Sequence, residues 1–195
     1  SALFERLAQA RAAGEALTLA TDFATGRTAE RETGDFVHRF DPPRRLFLVG
    51  AVHIAQALAP MAAMLGFSPF IVDPRGAFAA GPRFAGFAVD DRWPDEALEA
   101  WKPDSATAVV TLTHDPKLDD AALVRALLSP AFYIAALGSR KSHAARLERL
   151  AGQGFGAGDL ARIHGPAGLD IGAANPAEIA LSVAAQMVAC WRQRG

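Results

Sequence analysis

One sequence feature constrains the fold of this chain most strongly. It is a run of apolar residues that ends at a glycine and is followed at once by a helical pattern. Leu46–Val49 are apolar, Gly50 follows them, and apolar side chains recur at helical spacing from Ile54 onward. A buried parallel strand turns into a helix in this way at the start of a Rossmann-type βαβ unit. Gly50 and Ala55 fill the outer positions of the dinucleotide fingerprint G-x-G-x-x-G/A, but Val52 stands at the middle position. A glycine at that position lets the backbone approach a pyrophosphate. The pattern therefore predicts the fold and disfavours ordinary dinucleotide binding.

Strands and helices alternate after this run. Buried strands are predicted at 46–49, 70–73, 87–89, 106–113 and 132–137, the third following a loop that begins at Phe78. Helices are predicted at 94–101 with Pro94 in the first turn, at 119–128 with Asp119 as the cap, at 140–150, at 159–163, and at 177–191 with Asn175 as the cap and Pro176 after it. This alternation predicts an α/β fold, a doubly wound parallel sheet flanked by helices. The expected strand order is 3-2-1-4-5, counted from the strand at Leu46, with room for a sixth strand.

The first 43 residues predict a separate, smaller unit. Residues 4–13 are rich in helix formers, and the segments around Leu17–Thr21 and Asp35–Phe40 alternate as strands do. The pair Pro42-Pro43 marks the joint to a Rossmann-like domain at 44–195. A helix-plus-hairpin appendage of this length is too short for a core of its own, so we expect it to pack on the main domain or on a second copy of the chain. Its exposed strand edges favour a homodimer.

Composition and charge exclude several classes of protein. The formal net charge of −1 lacks the basic excess of a nucleic-acid binder. A single cysteine, Cys190, permits neither an internal disulfide nor a cysteine-cluster metal site, and His38 and His164 have no neighbours at metal-binding spacing. No apolar run approaches the roughly 18 residues of a membrane span, and we expect no signal peptide. We therefore expect a cytoplasmic protein that binds no metal through its own side chains, no nucleic acid and no membrane.

A doubly wound sheet predicts where a ligand binds. Ligands lie beyond the carboxyl ends of the strands, at the point where the strand order reverses. The Gly50–His53 turn should therefore lie beside the Thr113–Asp115 turn, with Asp73 on one side and Gly138–Arg140 on the other. The last of these turns is the best anion candidate, because a helix N-terminus offers free N–H groups beside serine and arginine donors. In the alternative interpretation, Ser139 is only a helix cap and Arg140 a solvated charge.

The other candidates also have two interpretations. Asp73 lies 23 positions after the fingerprint glycine, close to the offset at which an acidic group meets a ribose hydroxyl; alternatively it is a strand-end carboxylate in water. His53 either contacts a ligand or is a surface residue of a first helical turn. The pair His114–Asp115 either faces a ligand or caps a loop. His143 shares a helix face with Arg146, and most faces of this kind are simply solvated.

Five segments of the chain carry recognisable motifs: 42–58, 72–75, 112–115, 136–143 and 163–172. Together they resemble the XdhC/CoxI family, the accessory factors of xanthine dehydrogenase and related molybdenum hydroxylases. The resemblance covers about residues 36–191. Its last two segments are specific, because neither a dehydrogenase nor a generic Rossmann domain needs them. We expect the cofactor-binding residues to be Gly50, Val52, His53, Asp73, Arg75, His114, Asp115, Gly138, Ser139, Arg140, His143 and Asp170.

The resemblance implies a function in handling the molybdenum cofactor, either molybdopterin or its nucleotide form. A member of this family would bind the cofactor and help its sulfuration and its insertion into an apo-hydroxylase, with the hydroxylase as client and a cysteine desulfurase as a second partner. The pterin phosphate would lie at the helix N-terminus after Gly138, and the polar edges of the pterin would meet His53, His114 or Asp115. The family usually has glycine where Val52 stands. It also carries an N-terminal domain with a cysteine motif; here we expect a shortened N-terminal region that offers molybdenum no thiolate.

Two other functions stay open from the sequence. An NAD(P)-dependent oxidoreductase would rest on Gly50, Ala55 and Asp73. A protein-interaction module would have kept the fold and lost the ligand. No nucleophile with an adjacent base and no phosphate loop of the G-x-x-x-x-G-K-[ST] type is present. We therefore predict no catalytic residues, and we favour an accessory factor over an enzyme.

Overall fold

The structure, a computed structural model, describes residues 2–76 and 82–194. The predicted loop residues 78–81 lie outside this part of the chain. The first elements are α1 (Ala2–Ala13), β1 (Leu17–Asp22), β2 (Arg27–Glu30), β3 (Phe36–Phe40), β4 (Arg44–Val49), α2 (His53–Met64), β5 (Phe67–Val72), β6 (Ala88–Asp90) and α3 (Pro94–Trp101). They are followed by β7 (Thr107–Thr111), α4 (Pro116–Leu127), β8 (Tyr133–Ala136), α5 (Arg140–Ala151), α6 (Ala157–Leu160), β9 (Ile163–His164) and α7 (Pro176–Arg192).

Six strands form one parallel sheet in the order β6-β5-β4-β7-β8-β9. This confirms the predicted doubly wound topology, including the sixth strand. The order reverses between β4 and β7, so the turns that follow these two strands lie side by side. The remaining turns of the carboxyl edge follow β5 on one side and β8 and β9 on the other.

The central strand β4 explains why the sheet is covered on both faces. Its side chains alternate between the two faces because a strand has a period of two residues. Leu46 and Leu48 join the core beneath α2 and α7, whereas Phe47 and Val49 join the core beneath α3, α4 and α5. All four residues are fully buried. A continuous apolar run is therefore the expected sequence of a strand that is buried on both sides.

The N-terminal unit is a three-stranded antiparallel sheet in the order β2-β1-β3, with α1 packed on it. Its buried cluster consists of Ala10, Leu17 and Leu19. The hydroxyl of Ser105 donates a hydrogen bond to the carbonyl oxygen of Gly14 at 2.8 Å and so joins this unit to the segment before β7. β3 is an edge strand whose five residues are all exposed. Among the residues that the structure describes, no helix combines the length and the apolar character needed to cross a bilayer.

Two local predictions were wrong. The helix predicted at 159–163 is α6, which ends at Leu160, and Ile163–His164 pairs with β8 as the sixth strand. The buried Ile163 side chain explains the difference, because it packs into the core beneath α4 and α5. Asp119 does not cap α4. The cap is Asp115, whose carboxylate accepts a hydrogen bond from the Lys117 N–H at 2.9 Å.

Candidate functional site

The β-to-α turns at Gly50, His114 and Gly138 lie along one edge of the parallel sheet. They follow β4, β7 and β8, which are neighbours in the sheet. Backbone hydrogen bonds continue the pairing past the strand ends: the Leu112 N–H donates to Val49 at 2.9 Å, and the Leu137 N–H donates to Thr111 at 2.9 Å. The geometry therefore brings the three predicted turns to a common edge.

The Gly50 turn is packed too closely for a side chain. Gly50 has φ of +108°, and an added Cβ would lie 2.9 Å from Cγ2 of Thr113. Val52 is the N-cap of α2 with φ of −98° and ψ of 173°, an extended conformation that any residue adopts. Its half-buried side chain packs against the core. His53 is the exposed first residue of the helix. Glycine is thus required at position 50, and the backbone at position 52 tolerates valine.

Asp73 stabilises the Gly50 turn through a hydrogen bond to its backbone. Its carboxylate is fully buried and accepts four hydrogen bonds: one from the Ala51 N–H at 2.8 Å, and three from the backbone N–H, Nε and Nη2 of Arg75 at 3.0, 2.8 and 2.8 Å. Burial alone raises the pKa of Asp73, but the hydrogen bonds and the positive charge of Arg75 outweigh this effect and lower it. Both carboxylate oxygens are therefore occupied within the protein.

The predicted contact between Asp73 and a ribose hydroxyl does not fit this arrangement. A sugar hydroxyl would have to displace the Ala51 N–H or Arg75 from a carboxylate that has no exposed surface. The acidic residue at the dinucleotide offset instead holds the glycine turn in place. Arg75 remains at the edge of the sheet, with its side chain about one third exposed (34%). Asp73 positions the turn, and only Arg75 of this pair is able to face a ligand.

The His114 turn exposes a histidine in a strained backbone conformation. His114 has φ of +61° and an exposed side chain. A non-glycine residue in this region costs about 1–2 kcal/mol, and such strain is concentrated at functional sites. The next residue, Asp115, is tied to the backbone of α4 as its cap and donates its own N–H to the Thr113 hydroxyl at 3.0 Å. Of this predicted pair, His114 faces solvent and Asp115 is engaged in a structural hydrogen bond.

The Gly138 turn begins α5. Gly138 has φ of +144°, and an added Cβ would overlap Oγ of Ser142. Ser139 is the N-cap, and its hydroxyl oxygen accepts a hydrogen bond from the Ser142 N–H at 3.1 Å. Arg140 is the exposed first residue of the helix. Ser139 therefore caps the helix, which is the function that the alternative interpretation gave it, and Arg140 stands at a helix N-terminus, which attracts anions.

The loop 165–172 packs against α5 and α7. An added Cβ on Gly165 would overlap the His143 ring, and one on Gly168 would overlap Oγ of Ser182. The Gly168 N–H donates to Oε1 of Gln186 at 2.9 Å. His143 is half-buried, and its Nδ1 has no hydrogen-bond partner among the described residues. Burial, with a smaller contribution from the charge of a neighbouring arginine, lowers the pKa of His143. The glycines of this segment therefore permit close packing.

The Gly138 turn and the loop 165–172 line one cavity of about 390 Å³. Gly138 and Arg140 come from the start of α5, and Asp170 comes from the loop before α7. Leu137 and Ile171 are among the apolar side chains of the wall. Arg140 and Asp170 are exposed at its surface. The cavity thus combines apolar walls, a helix N-terminus and two opposite charges, which suits a ring-containing ligand with an anionic group.

His114 lines a different cavity, of about 150 Å³, between α4 and α5. This cavity reveals two residues that sequence reasoning missed. Arg146 was interpreted as a solvated residue but is only 5% exposed, and Asp119 is 1% exposed. The signal available in the sequence was Pro116, because proline prefers the first helical position and thus assigns the cap to Asp115. Asp119 then lies one turn inside the helix and faces the core.

The fold and the geometry of this edge define a Rossmann-type α/β domain with a cavity beyond the carboxyl ends of its parallel strands. The acidic residue at the dinucleotide offset, Asp73, forms its hydrogen bonds within the protein. This difference sets the domain apart from an ordinary dinucleotide-binding domain. The chain belongs to the XdhC family, since the sequence model described as the XdhC Rossmann domain matches residues 46–187.

Three curated proteins are similar to this chain. The "Uncharacterized protein YqeB" of Escherichia coli K12 is 32% identical over 163 residues, which is 78% of this chain and 28% of YqeB. A probable xanthine dehydrogenase subunit of Bacillus subtilis 168 is 31% identical over 160 residues, 82% of this chain and 46% of that protein. The "Molybdenum cofactor insertion chaperone PaoD" of E. coli K12 is 30% identical over 148 residues, 76% of this chain and 40% of PaoD. The chain thus spans less than half the length of each of these relatives.

A solved structure shares the fold. It is described as a xanthine dehydrogenase from Bacillus halodurans, and it superimposes with a TM-score of 0.74 at 23% sequence identity. The superposition covers 100% of this chain and 65% of the other.

Proposed function

We propose that this chain is a non-catalytic accessory factor that handles the molybdenum cofactor for a xanthine dehydrogenase-type hydroxylase. The observation that carries the proposal is the 390 Å³ cavity, because the two family-specific segments, 136–143 and 163–172, meet to form it. Membership of the XdhC family and the similarity to a protein named as a molybdenum cofactor insertion chaperone support it.

The residues of the cavity fit the chemistry of a phosphorylated pterin. The N-terminus of α5, with the Arg140 guanidinium, suits the phosphate. Leu137, Ile171 and Ile179 provide apolar surface for a flat ring, and Asp170 offers an acceptor for ring N–H groups. The bound cofactor itself would supply the metal and sulfur chemistry. The protein residues would only bind, orient and shield it.

A titration of the purified chain with cofactor released from a molybdenum hydroxylase tests the proposal. We expect binding at micromolar concentration or better. Arg140→Gln should weaken it about tenfold, because a charge-assisted hydrogen bond to the phosphate is lost. Arg31→Gln, at an exposed arginine of the N-terminal unit, is the matched control and should bind as the wild type does. Absence of binding to the wild type, or equal binding by the Arg140 variant, would contradict the proposal.

Partners form the second part of the proposal. A hydroxylase client is supported by the name of the B. subtilis relative, a probable component of a xanthine dehydrogenase. Self-association is supported by the exposed edge strand β3, whose free backbone groups are able to pair with another strand. A cysteine desulfurase would supply the sulfur for sulfuration. Light scattering on the purified chain tests the dimer, and reconstitution of an apo-hydroxylase with and without the chain and a desulfurase tests the other two partners.

The NAD(P)-dependent oxidoreductase is the weaker alternative. The topology permits it, but the carboxylate expected to bind the ribose is saturated by Ala51 and Arg75. Calorimetry with NAD and NADP in both redox states separates the two functions. Binding of a dinucleotide in place of the molybdenum cofactor would favour the oxidoreductase.

A further inference from the structure

A pair of opposite charges is buried behind the Gly138 turn, between α4 and α5. Nη2 of Arg146 and Oδ2 of Asp119 are 3.8 Å apart, which is too far for a hydrogen bond. Oδ1 of Asp119 accepts hydrogen bonds from the hydroxyl and the N–H of Thr113, at 2.7 and 3.3 Å. Nη2 of Arg146 donates to the Leu137 carbonyl oxygen at 3.0 Å. Each group is hydrogen-bonded to a turn at the carboxyl edge of the sheet, but the two groups form no hydrogen bond with each other.

The buried Arg146 guanidinium has N–H groups that form no hydrogen bond with the described part of the protein. Its Nε and Nη1 have no hydrogen-bond partner among the described residues, and neither has Oδ2 of Asp119. Of six buried side-chain atoms without a partner in residues 2–76 and 82–194, these three belong to one pair. Buried charged groups with atoms that lack a hydrogen-bond partner are rare, because each such atom retains its desolvation penalty. This concentration indicates that a further group completes the cluster.

The cavity beside this pair has a positive environment. It is about 150 Å³, and Arg146 and Arg149 line it together with His114. The first turns of α4 and α5 also line it, and a helix N-terminus carries a partial positive charge. The charge of Arg149 is matched by Asp120, with hydrogen bonds of 2.6 and 3.0 Å. The charge of Arg146 faces Asp119 at 3.8 Å, with no hydrogen bond between the two groups.

Asp119 is the one acidic side chain among the described residues that line this cavity. Burial raises the pKa of Asp119, against the hydrogen bonds from Thr113 and the positive charges of Arg146 and His114. Arg75 and Arg149 also act on this carboxylate from neighbouring elements.

We propose that the cavity between α4 and α5 binds a small tetrahedral oxyanion of the phosphate or sulfate type, with Arg146 as its principal ligand. Either a free oxyanion or the end of a phosphate ester has this chemistry. The site is separate from the 390 Å³ cavity and does not use Arg140, so it goes beyond the proposed function.

Isothermal titration of the full chain at constant ionic strength tests this site with two probes, sodium sulfate and glycerol 3-phosphate. Arg146→Gln should weaken binding about tenfold or more, since the charge-assisted hydrogen bonds are lost. Arg146→Lys should weaken it less, because the charge stays but the planar fork is lost. Asp119→Asn keeps an acceptor for Thr113 and removes the opposing charge, so it should bind at least as tightly as the wild type. Arg31→Gln, at an exposed arginine of the N-terminal unit, is the control and should leave binding unchanged, whereas Arg140→Gln reports separately on binding in the 390 Å³ cavity.

The outcomes separate this site from the proposed one. Sulfate binding that depends on Arg146 establishes a site for a free oxyanion, and binding of the ester alone establishes a subsite for the end of a larger ligand. If Arg146→Gln does not fold, the comparison of Arg146→Lys and Asp119→Asn decides. The inference is overturned if neither probe binds the wild type, if the Arg146 variants bind as the wild type does, or if Arg140→Gln weakens binding as much as Arg146→Gln. The last result would leave the proposed function intact.

Discussion

Replacement of Gly165 by alanine tests whether the close packing of the loop 165–172 on α5 depends on direct contact between Gly165 and His143. The added Cβ would overlap the imidazole, with Cγ of the ring only 2.5 Å away. A relaxed contact between two carbon atoms is about 3.5–4.0 Å. Gly165 is not among the residues with positive φ, so backbone strain adds nothing to this effect. Overpacking typically costs about 1–3 kcal/mol, and overlap with several ring atoms places the expected loss of unfolding free energy at about 2–3 kcal/mol.

Urea denaturation followed by circular dichroism measures this loss, and a double-mutant cycle identifies its cause. His143→Ala alone should change the free energy of unfolding by only about 1 kcal/mol, because the ring is half-buried and its Nδ1 has no partner among the described residues. The double variant should recover most of the stability lost in Gly165→Ala, with a coupling energy of about 1.5 kcal/mol or more. Gly158→Ala is the control, since an added Cβ there meets nothing within 4 Å. Additive effects of the two substitutions would refute the steric explanation.

Two further substitutions test the edge of the sheet. Asp73→Asn should lower the free energy of unfolding by about 1–3 kcal/mol at neutral pH, because Ala51 and Arg75 lose a charged acceptor. Since the pKa of Asp73 is lowered in the folded state, the advantage of the wild type should be complete above the unfolded pKa of about 3.9 and should disappear as the pH falls through the folded pKa. Val52→Gly should bind NAD at least fivefold more tightly in calorimetry, if the isopropyl group keeps the pyrophosphate from the helix N-terminus.

Each of these predictions has its own control. For Asp73→Asn, denaturation curves from pH 3 to 7 are compared with those of Asp95→Asn, in the first turn of α3, and an equal difference from the wild type at every pH would contradict the assigned ionisation. For Val52→Gly, the melting temperature is measured alongside affinity, because the loss of a half-buried side chain and the added chain entropy also destabilise α2. Unchanged affinity for NAD would show that the steric argument about this turn is wrong.

Local sequence signals predicted the architecture well where caps and periodicity agree. Pro94 at a first helical position predicted α3 over its observed range. Asn175 followed by Pro176 predicted the start of α7, and Oδ1 of Asn175 accepts a hydrogen bond from the Glu178 N–H at 2.9 Å. Where two residues satisfied the same rule, as Asp115 and Asp119 did for α4, local reasoning chose the wrong one. Pro116 already favoured Asp115, and the inward direction of Asp119 toward Thr113 agrees with it.

The candidate site was predictable as a position and much less so as a set of contacts. Strand order brings the turns at Gly50, His114 and Gly138 to one edge, and the order follows from the alternation of strands and helices. Four of the twelve predicted residues nevertheless divide between two cavities, and the other eight line neither. Gly138, Arg140 and Asp170 line the larger, whereas His114 lines the smaller. The sequence contains no pattern that reports this division, because it depends on how the loop before α7 folds back over α5.

The sequence by itself determined the doubly wound sheet, because apolar runs, glycine turns and helix caps act over a few neighbouring residues. Tertiary structure decided which polar groups remain available to a ligand. Asp73 is occupied by Ala51, 22 positions away, and Arg146 is buried against a residue of another helix instead of facing water. Hydrogen bonding and burial of this kind depend on which elements meet in space. A carboxylate or a guanidinium therefore looks the same in the sequence whether it supports a turn or faces a ligand.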